Sequence, residues 1–268
     1  MTQNTAFRGS LTIAIALFTL GATPAKSNPT ISQATLGEQS QPTTEISTEE
    51  MRTILADKSA TVFDVRPFLE FAVSHIPGAL NVAAKPGVPM SMYVSDVAEI
   101  GRVVHENKAA PIVVYCNGPA CGKSKRVASE LLQAGYSNVR RFQLGIPVWR
   151  ALGGVTEIEP EGLKRVLEKD GTAVVVDVRE PDEFKAGSIP AARNIPRSAV
   201  LEGKDVGEVK KARDDGRLPM EDHNTRLIVV GSEAASARYV AEALAREAFH
   251  NVSYFRGTYT EARALVGR

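Results

Sequence analysis

One unit is written twice in this chain, and that duplication constrains its fold more than any other feature. Asp64-Val65-Arg66, Glu70-Phe71, His75-Ile76-Pro77-Gly78-Ala79 and Asn81 form a run that recurs 113 residues later. The second copy reads Asp177-Val178-Arg179, Glu183-Phe184, Ser188-Ile189-Pro190-Ala191-Ala192 and Asn194. Further on, Ile112-Val113-Val114-Tyr115-Cys116 is echoed by Ile228-Val229-Val230-Gly231-Ser232, which aligns Cys116 with Ser232. Solenoid repeats run to roughly 20–50 residues, so this longer period means two homologous domains in tandem. A chain of 268 residues has room for two domains of ordinary size.

Within each copy, short apolar runs alternate with helical patterns. Ser47 with Glu50 three residues on predicts a capping box and a helix running toward Leu55. Thr61–Val65 and Ile112–Tyr115 read as strands, the second buried on both faces. Ser124–Ala134 follows as a helix with Val127, Ala128, Leu131 and Leu132 on one side, stopped by Gly135. Val139–Phe142 is a further strand. The second copy repeats the scheme with strands near Ala173–Val176, Leu227–Val230 and Val252–Phe255, and a helix near Ala237–Arg246. Helices between short buried strands predict an α/β fold: two domains, each a small parallel sheet flanked by helices. The expected boundaries are 46–155 for the first domain and 156–268 for the second, with the joint near Gly153-Gly154.

The first 25 residues read as a targeting signal. Arg8 is their one charged side chain, Leu11–Ala22 is apolar, and Thr23-Pro24-Ala25 offers small residues for cleavage. The run is shorter than the roughly 20 residues a spanning helix needs, so a membrane enters only if the segment stays uncleaved as an anchor. Export, to a bacterial periplasm or a comparable compartment, is the expectation. Residues 26–45, rich in Ser, Thr, Gln and Pro, read as a flexible lead-in. Without the first 25 residues the body carries 31 basic against 31 acidic side chains. A near-neutral body argues against a nucleic-acid partner. Since the sequence has no GxGxxG before a helix, Walker loop, HExxH or paired CxxC, no cofactor or metal is expected.

Cys116 is the candidate for chemistry. It stands where a buried strand ends and Asn117-Gly118-Pro119-Ala120-Cys121-Gly122 leads into the next helix. In open α/β sheets that crevice is the usual ligand site. Free N–H groups of a glycine-bearing loop, the positive end of the helix dipole and Lys123 at the loop exit all favour a thiolate. The candidate binding residues are therefore Asn117, Gly118, Ala120, Cys121, Gly122 and Lys123. Cys121 reads first as loop packing, with a resolving thiol or a disulfide partner as the alternatives.

The DVR-x3-EF-x3-HIPGA-x-N run with a strand-end cysteine loop resembles rhodanese, from about Ile46 to Arg268. The resemblance implies a five-stranded parallel sheet, present twice, and a sulfurtransferase without a cofactor. In such an enzyme Cys116 takes a sulfane sulfur from a small donor such as thiosulfate, becomes a persulfide, and passes it to a thiol or cyanide. It also makes Asp64 and Arg66 an ion-paired fold element, with Arg66 reaching the crevice as the lesser alternative, while His75 in its HIPGA setting reads as a structural turn residue and Trp149 as a cover for the core. Two departures matter. Ser124 lies eight residues after Cys116, where rhodanese loops usually reach their Ser or Thr in about six. Familiar two-domain members keep the cysteine in the C-terminal copy, whereas here the second copy has Ser232, which holds no persulfide, so that copy is expected to be structural or ligand-shaping. The rival readings are an exported thiol–disulfide protein using Cys116 and Cys121, and a non-catalytic binding module. A phosphatase of this fold would need an arginine six residues after the cysteine, where Gly122 stands.

Overall fold

The computed structural model describes Met1 and residues 29–266. The targeting segment expected over 1–25 lies, apart from Met1, outside the described residues. No helix among the described residues is long and apolar enough to cross a membrane.

The first domain contains β1 (Thr44–Glu45), α1 (Thr48–Asp57), β2 (Thr61–Asp64), α2 (Phe68–Val73), β3 (Leu80–Asn81), α3 (Asp96–Val103), β4 (Ile112–Tyr115), α4 (Gly122–Gln133), β5 (Val139–Phe142) and α5 (Gly145–Ala151). Its five strands are all parallel, in the order β1-β5-β4-β2-β3. The second domain contains β6 (Thr156–Ile158), α6 (Pro160–Lys169), β7 (Val174–Asp177), α7 (Pro181–Ala186), β8 (Arg193–Asn194), α8 (Gly207–Asp214), β9 (Leu227–Val230), α9 (Ala234–Arg246), β10 (Val252–Phe255) and α10 (Tyr259–Ala264). It repeats the parallel order as β6-β10-β9-β7-β8. The two tandem α/β domains expected from the sequence are thus present.

Burial of β4 on both faces explains its unbroken apolar run. Ile112 and Val114 face Val127, Ala128 and Leu131 of α4, and Val113 and Tyr115 face Met51, Ile54 and Trp149 on the other side. Period-two alternation puts Cys116 on the α4 side of the sheet. The capping box of α1 forms, with Ser47 accepting from the Glu50 N–H and Glu50 accepting from the Ser47 N–H.

The duplicated motif is a hydrogen-bonded clasp. Arg66 binds both oxygens of Asp64 through Nε, and Asn81 Nδ2 donates to Asp64 O and Arg66 O at 2.9 Å each. Arg179, Asp177 and Asn194 repeat the same bonds.

Over its described part the lead-in contacts the first domain. Thr44 and Glu45 pair with Arg140 and Arg141 as an edge strand, and Glu45 accepts from the N–H groups of Leu36 and Glu38. The cause is electrostatic: Arg141 is fully buried, and a buried guanidinium needs partners. Glu38 lies 3.0 Å and Glu45 3.7 Å from it.

His75 joins the two domains. Its main chain exchanges hydrogen bonds with Glu157 (3.0 and 2.9 Å), its Nε2 lies 3.0 Å from Glu157 Oε2, and its ring stacks on Phe71. Glu159 N–H donates to Ala72 O at 2.8 Å, seating α6 on α2. Among the described residues Ser188, the second copy's counterpart of His75, makes no such joint, so this contact uses the motif of the first copy.

Candidate active site: the loop after β4

The loop between β4 and α4 runs from Cys116 to Cys121. Cys116 and Gly118 are buried, Asn117, Ala120 and Gly122 are exposed, and Cys121 and Lys123 are half-buried. Gly118 has φ +104° and Gly145 φ +64°, a region that disfavours side chains. A Cβ on Gly145 would overlap Gly118 N, so these two glycines let the loop lie against the start of α5. A Cβ at Gly122 would meet open space, so packing does not demand glycine there.

Gln143, at the end of β5, organises the loop. Its Nε2 donates toward the carbonyls of Gly118 (3.4 Å), Pro119 (3.2 Å) and Cys121 (3.2 Å). Its Oε1 accepts from Arg141 Nη1 (2.8 Å) and Ser124 Oγ (3.1 Å), which fixes the amide's orientation. In a trans peptide the N–H points opposite the carbonyl. Pinning Pro119 O and Cys121 O therefore turns the N–H groups of Ala120 and Gly122 away from Gln143. Among the described residues neither donates to a protein acceptor. The loop thus presents donors for an anionic atom, as a strand-to-helix turn can.

Asn117 is clasped from the α2 side. Its Nδ2 donates to Glu70 Oε2 at 2.6 Å, and its Oδ1 lies 3.5 Å from Arg66 Nη1. Arg66, held by Asp64 and by Ser74 O (2.6 Å), therefore reaches the residue beside Cys116. Tyr115 accepts from the Ile76 N–H at 3.0 Å, locking the HIPGA turn to the strand that carries the cysteine. Burial pushes the Tyr115 hydroxyl well above its usual pKa.

Lys123, at the loop exit, is ion-paired: its Nζ lies 3.3 Å from Asp96 Oδ2 at the start of α3. Two expectations from sequence need correction. Cys121 is more than packing, because it is disulfide-bonded to Cys116 with Cα atoms 6.2 Å apart. That spacing falls within the ordinary range for a bridge. Ser232 is not the counterpart of Cys116. Asp64 pairs with Tyr115 and Asp177 with Val230, so the residue in register with Cys116 is Gly231. Six residues separate β4 from α4, but only Gly231, Ser232 and Glu233 separate β9 from α9. The second loop is therefore too short to form the same cradle, and Arg256 takes the place of Gln143 after the last strand.

Sequence reasoning missed Gln143, Arg141 and Asp96. The one local signal was a charged residue inside the strand Val139–Phe142, where Arg141 is buried.

The rhodanese-like domain family model matches residues 47–152 and 159–264. A curated relative from Mycobacterium tuberculosis, named "Putative thiosulfate sulfurtransferase SseB", is 27% identical over 72% of this chain and 84% of its own. A Schizosaccharomyces pombe protein named "Putative thiosulfate sulfurtransferase, mitochondrial" is 26% identical over 34% of this chain and 64% of its own. Among solved structures, a thiosulfate sulfurtransferase from Pseudomonas aeruginosa aligns at 20% identity and TM-score 0.32, over 82% of this chain and 42% of that one. With both of its domains matched, the chain belongs to the rhodanese-like family.

Proposed function

We propose that this protein is a sulfurtransferase that carries sulfane sulfur on Cys116 as a persulfide. The observation that carries the reading is the loop geometry: Cys116 at the carboxyl end of β4, within a loop whose Ala120 and Gly122 N–H groups are left free by Gln143. Preorganised N–H donors stabilise negative charge at little reorganisation cost, and the terminal sulfur of a persulfide carries such charge. Membership of the family and the sulfurtransferase relatives point the same way.

Because Cys116 is bridged, a cycle starts with reduction. A dithiol supplies two electrons and two protons and leaves as its own disulfide, freeing both cysteines. The Cys116 thiolate then attacks the outer sulfur of a donor such as thiosulfate. The new S–S bond forms as the donor's S–S bond breaks, and sulfite leaves with the electron pair. An acceptor thiolate attacks the terminal sulfur next, giving the acceptor persulfide and restoring the Cys116 thiolate. We place this chemistry outside the cytoplasm, from the Leu11–Ala22 run and the disulfide; a mature protein starting near Lys26 is the measurement that checks it.

Intact-mass spectrometry after reduction, desalting and exposure to thiosulfate tests the reading. Wild type should gain one sulfur and lose it to cyanide, Cys116→Ser should gain none, and Ser232→Ala should behave as wild type. The disulfide also favours a second reading, a dithiol–disulfide exchange protein. That reading stands if reduced wild type takes no sulfur yet exchanges with partner disulfides.

A further inference from the structure

Between the domains, beside α2, lies a cleft of about 290 Å³ lined by Arg66, Arg150, Arg165, Arg226, Ser74 and Glu70 among others. Two of these guanidinium groups converge on one residue. Arg66 Nη2 donates to Ser74 O at 2.6 Å, and Arg150 Nη2 donates to Ser74 Oγ. The remaining two come from the second domain, on α6 and just before β9.

Their partners are unequal. Arg66 is neutralised by Asp64, and Arg226 Nε is 3.1 Å from Asp170. Arg150 and Arg165 form no ion pair among the described residues. Buried hydrogen-bonding groups are left without acceptors as well: Arg150 Nε and Arg226 Nη1. Burying cations together without acceptors is costly, and natural proteins seldom leave donors in that condition. Like-charge crowding is felt at Arg150, which burial, with Arg226 and Arg66, pushes down to about 10. The one carboxylate lining the cleft, Glu70, is turned to Asn117.

We propose that this cleft is a binding site for a small tetrahedral oxyanion, the class containing sulfate, thiosulfate and phosphate, held by Arg150, Arg165 and Arg226. Planar guanidinium forks match such an anion's oxygens in pairs. An anion there offers one acceptor to guanidinium groups of both domains at once, and so couples domain docking to occupancy. It also sits across Arg66 and Glu70 from Asn117, one residue from Cys116. The site does not require Cys116 to react.

The test is calorimetric titration of the oxidised, disulfide-bonded full chain with sodium sulfate, thiosulfate or phosphate, at ionic strength held constant with sodium chloride. No sulfur can be loaded on the bridged protein, so binding is read apart from transfer. Saturable binding of one anion per chain is expected, weakened by about tenfold or more in Arg165→Met and in Arg226→Met, as loss of a charge-assisted bond implies. Arg165 is exposed, so its replacement leaves the fold standing, which circular dichroism checks. Preference for thiosulfate over phosphate assigns the site to a sulfur oxyanion, and the reverse to phosphate. Absence of saturable binding for all three anions overturns the proposal. So does binding within about twofold of wild type in both variants. Sulfur loading by reduced protein that binds no anion when oxidised would remove this site and leave the sulfurtransferase reading intact.

Discussion

Replacing Gly162 with alanine sets two known effects against each other. Gly162 lies in α6, where alanine is favoured over glycine by about 1 kcal/mol in a helix interior. Yet a Cβ at this position would overlap Ala72 O and its carbonyl carbon, and would lie 2.6 Å from Val73 N. These are main-chain atoms of α2, which cannot rotate aside as a side chain can. The molecule must either hold the overlap or let α6 lift from α2. Lifting breaks the Glu159–Ala72 bond and both main-chain bonds between His75 and Glu157, about 3 kcal/mol at roughly 1 kcal/mol each. After the helix gain is subtracted, Gly162→Ala should cost about 2 kcal/mol, carried by the joint between the domains. Urea unfolding of the full chain, followed by the fluorescence of Trp149 and by far-ultraviolet circular dichroism, reads this directly. The variant should unfold at a lower midpoint, with the two probes separating as the domains lose their coupling. An unchanged or raised midpoint with coincident probes would show that the α2–α6 contact does not need glycine.

Two further outcomes follow from the same geometry. Gln143→Leu removes the amide that pins three loop carbonyls, so sulfur loading in the mass assay should slow by about a hundredfold, as when an oxyanion-binding donor is lost; loading at the wild-type rate would refute the role given to Gln143. Burial alone would raise the Glu157 carboxyl, but hydrogen bonds from His75, Tyr254 and the Gly78 N–H outweigh it and hold the carboxyl below its usual range. A depressed folded pKa stabilises above the unfolded value, near about 4.3, and that stability is lost as pH falls through the folded one. Glu157→Gln should therefore unfold at lower urea than wild type at pH 7, with the gap closing in acid; a gap independent of pH would refute it.

The parts of the fold that were legible in sequence are those set by local pattern or written twice. Ile112–Tyr115 showed itself as a strand because both of its faces are buried. The Asp64, Arg66 and Asn81 clasp was legible because Asp177, Arg179 and Asn194 repeat it with the same bonds. The alignment of Cys116 failed by one residue for a physical reason. Leu227-Ile228-Val229-Val230 is apolar throughout, so sliding it by one leaves the pattern unchanged, and only pairing with β7 fixes its register. Gln143, Arg141 and Glu38 were hidden because their partners lie far away in sequence. Composition made residues 26–45 read as a flexible lead-in, and it gave no hint that Glu38, Thr43 and Glu45 meet the buried charge of Arg141, a hundred residues on.

The same contrast explains why one copy holds the candidate site. A strand-end loop becomes an anion cradle only if its carbonyls are held away, which needs length for the turn and a donor to hold it. The first copy has both, in six residues between β4 and α4 and in Gln143. With three residues after β9 and Arg256 bound to Glu159 instead, the second copy has neither. A cysteine at Gly231 would also crowd Val178, its Cβ 2.8 Å from Val178 Cγ2, while the short loop and Arg256 still leave it without a cradle. What the second domain contributes lies at its edge: Glu157 and Gly162 fix the docking, while Arg165 and Arg226 complete the cleft beside Glu70 and Arg66. If the cleft binds an oxyanion as proposed, the second domain serves the site as a wall whose two arginines supply the positive charge.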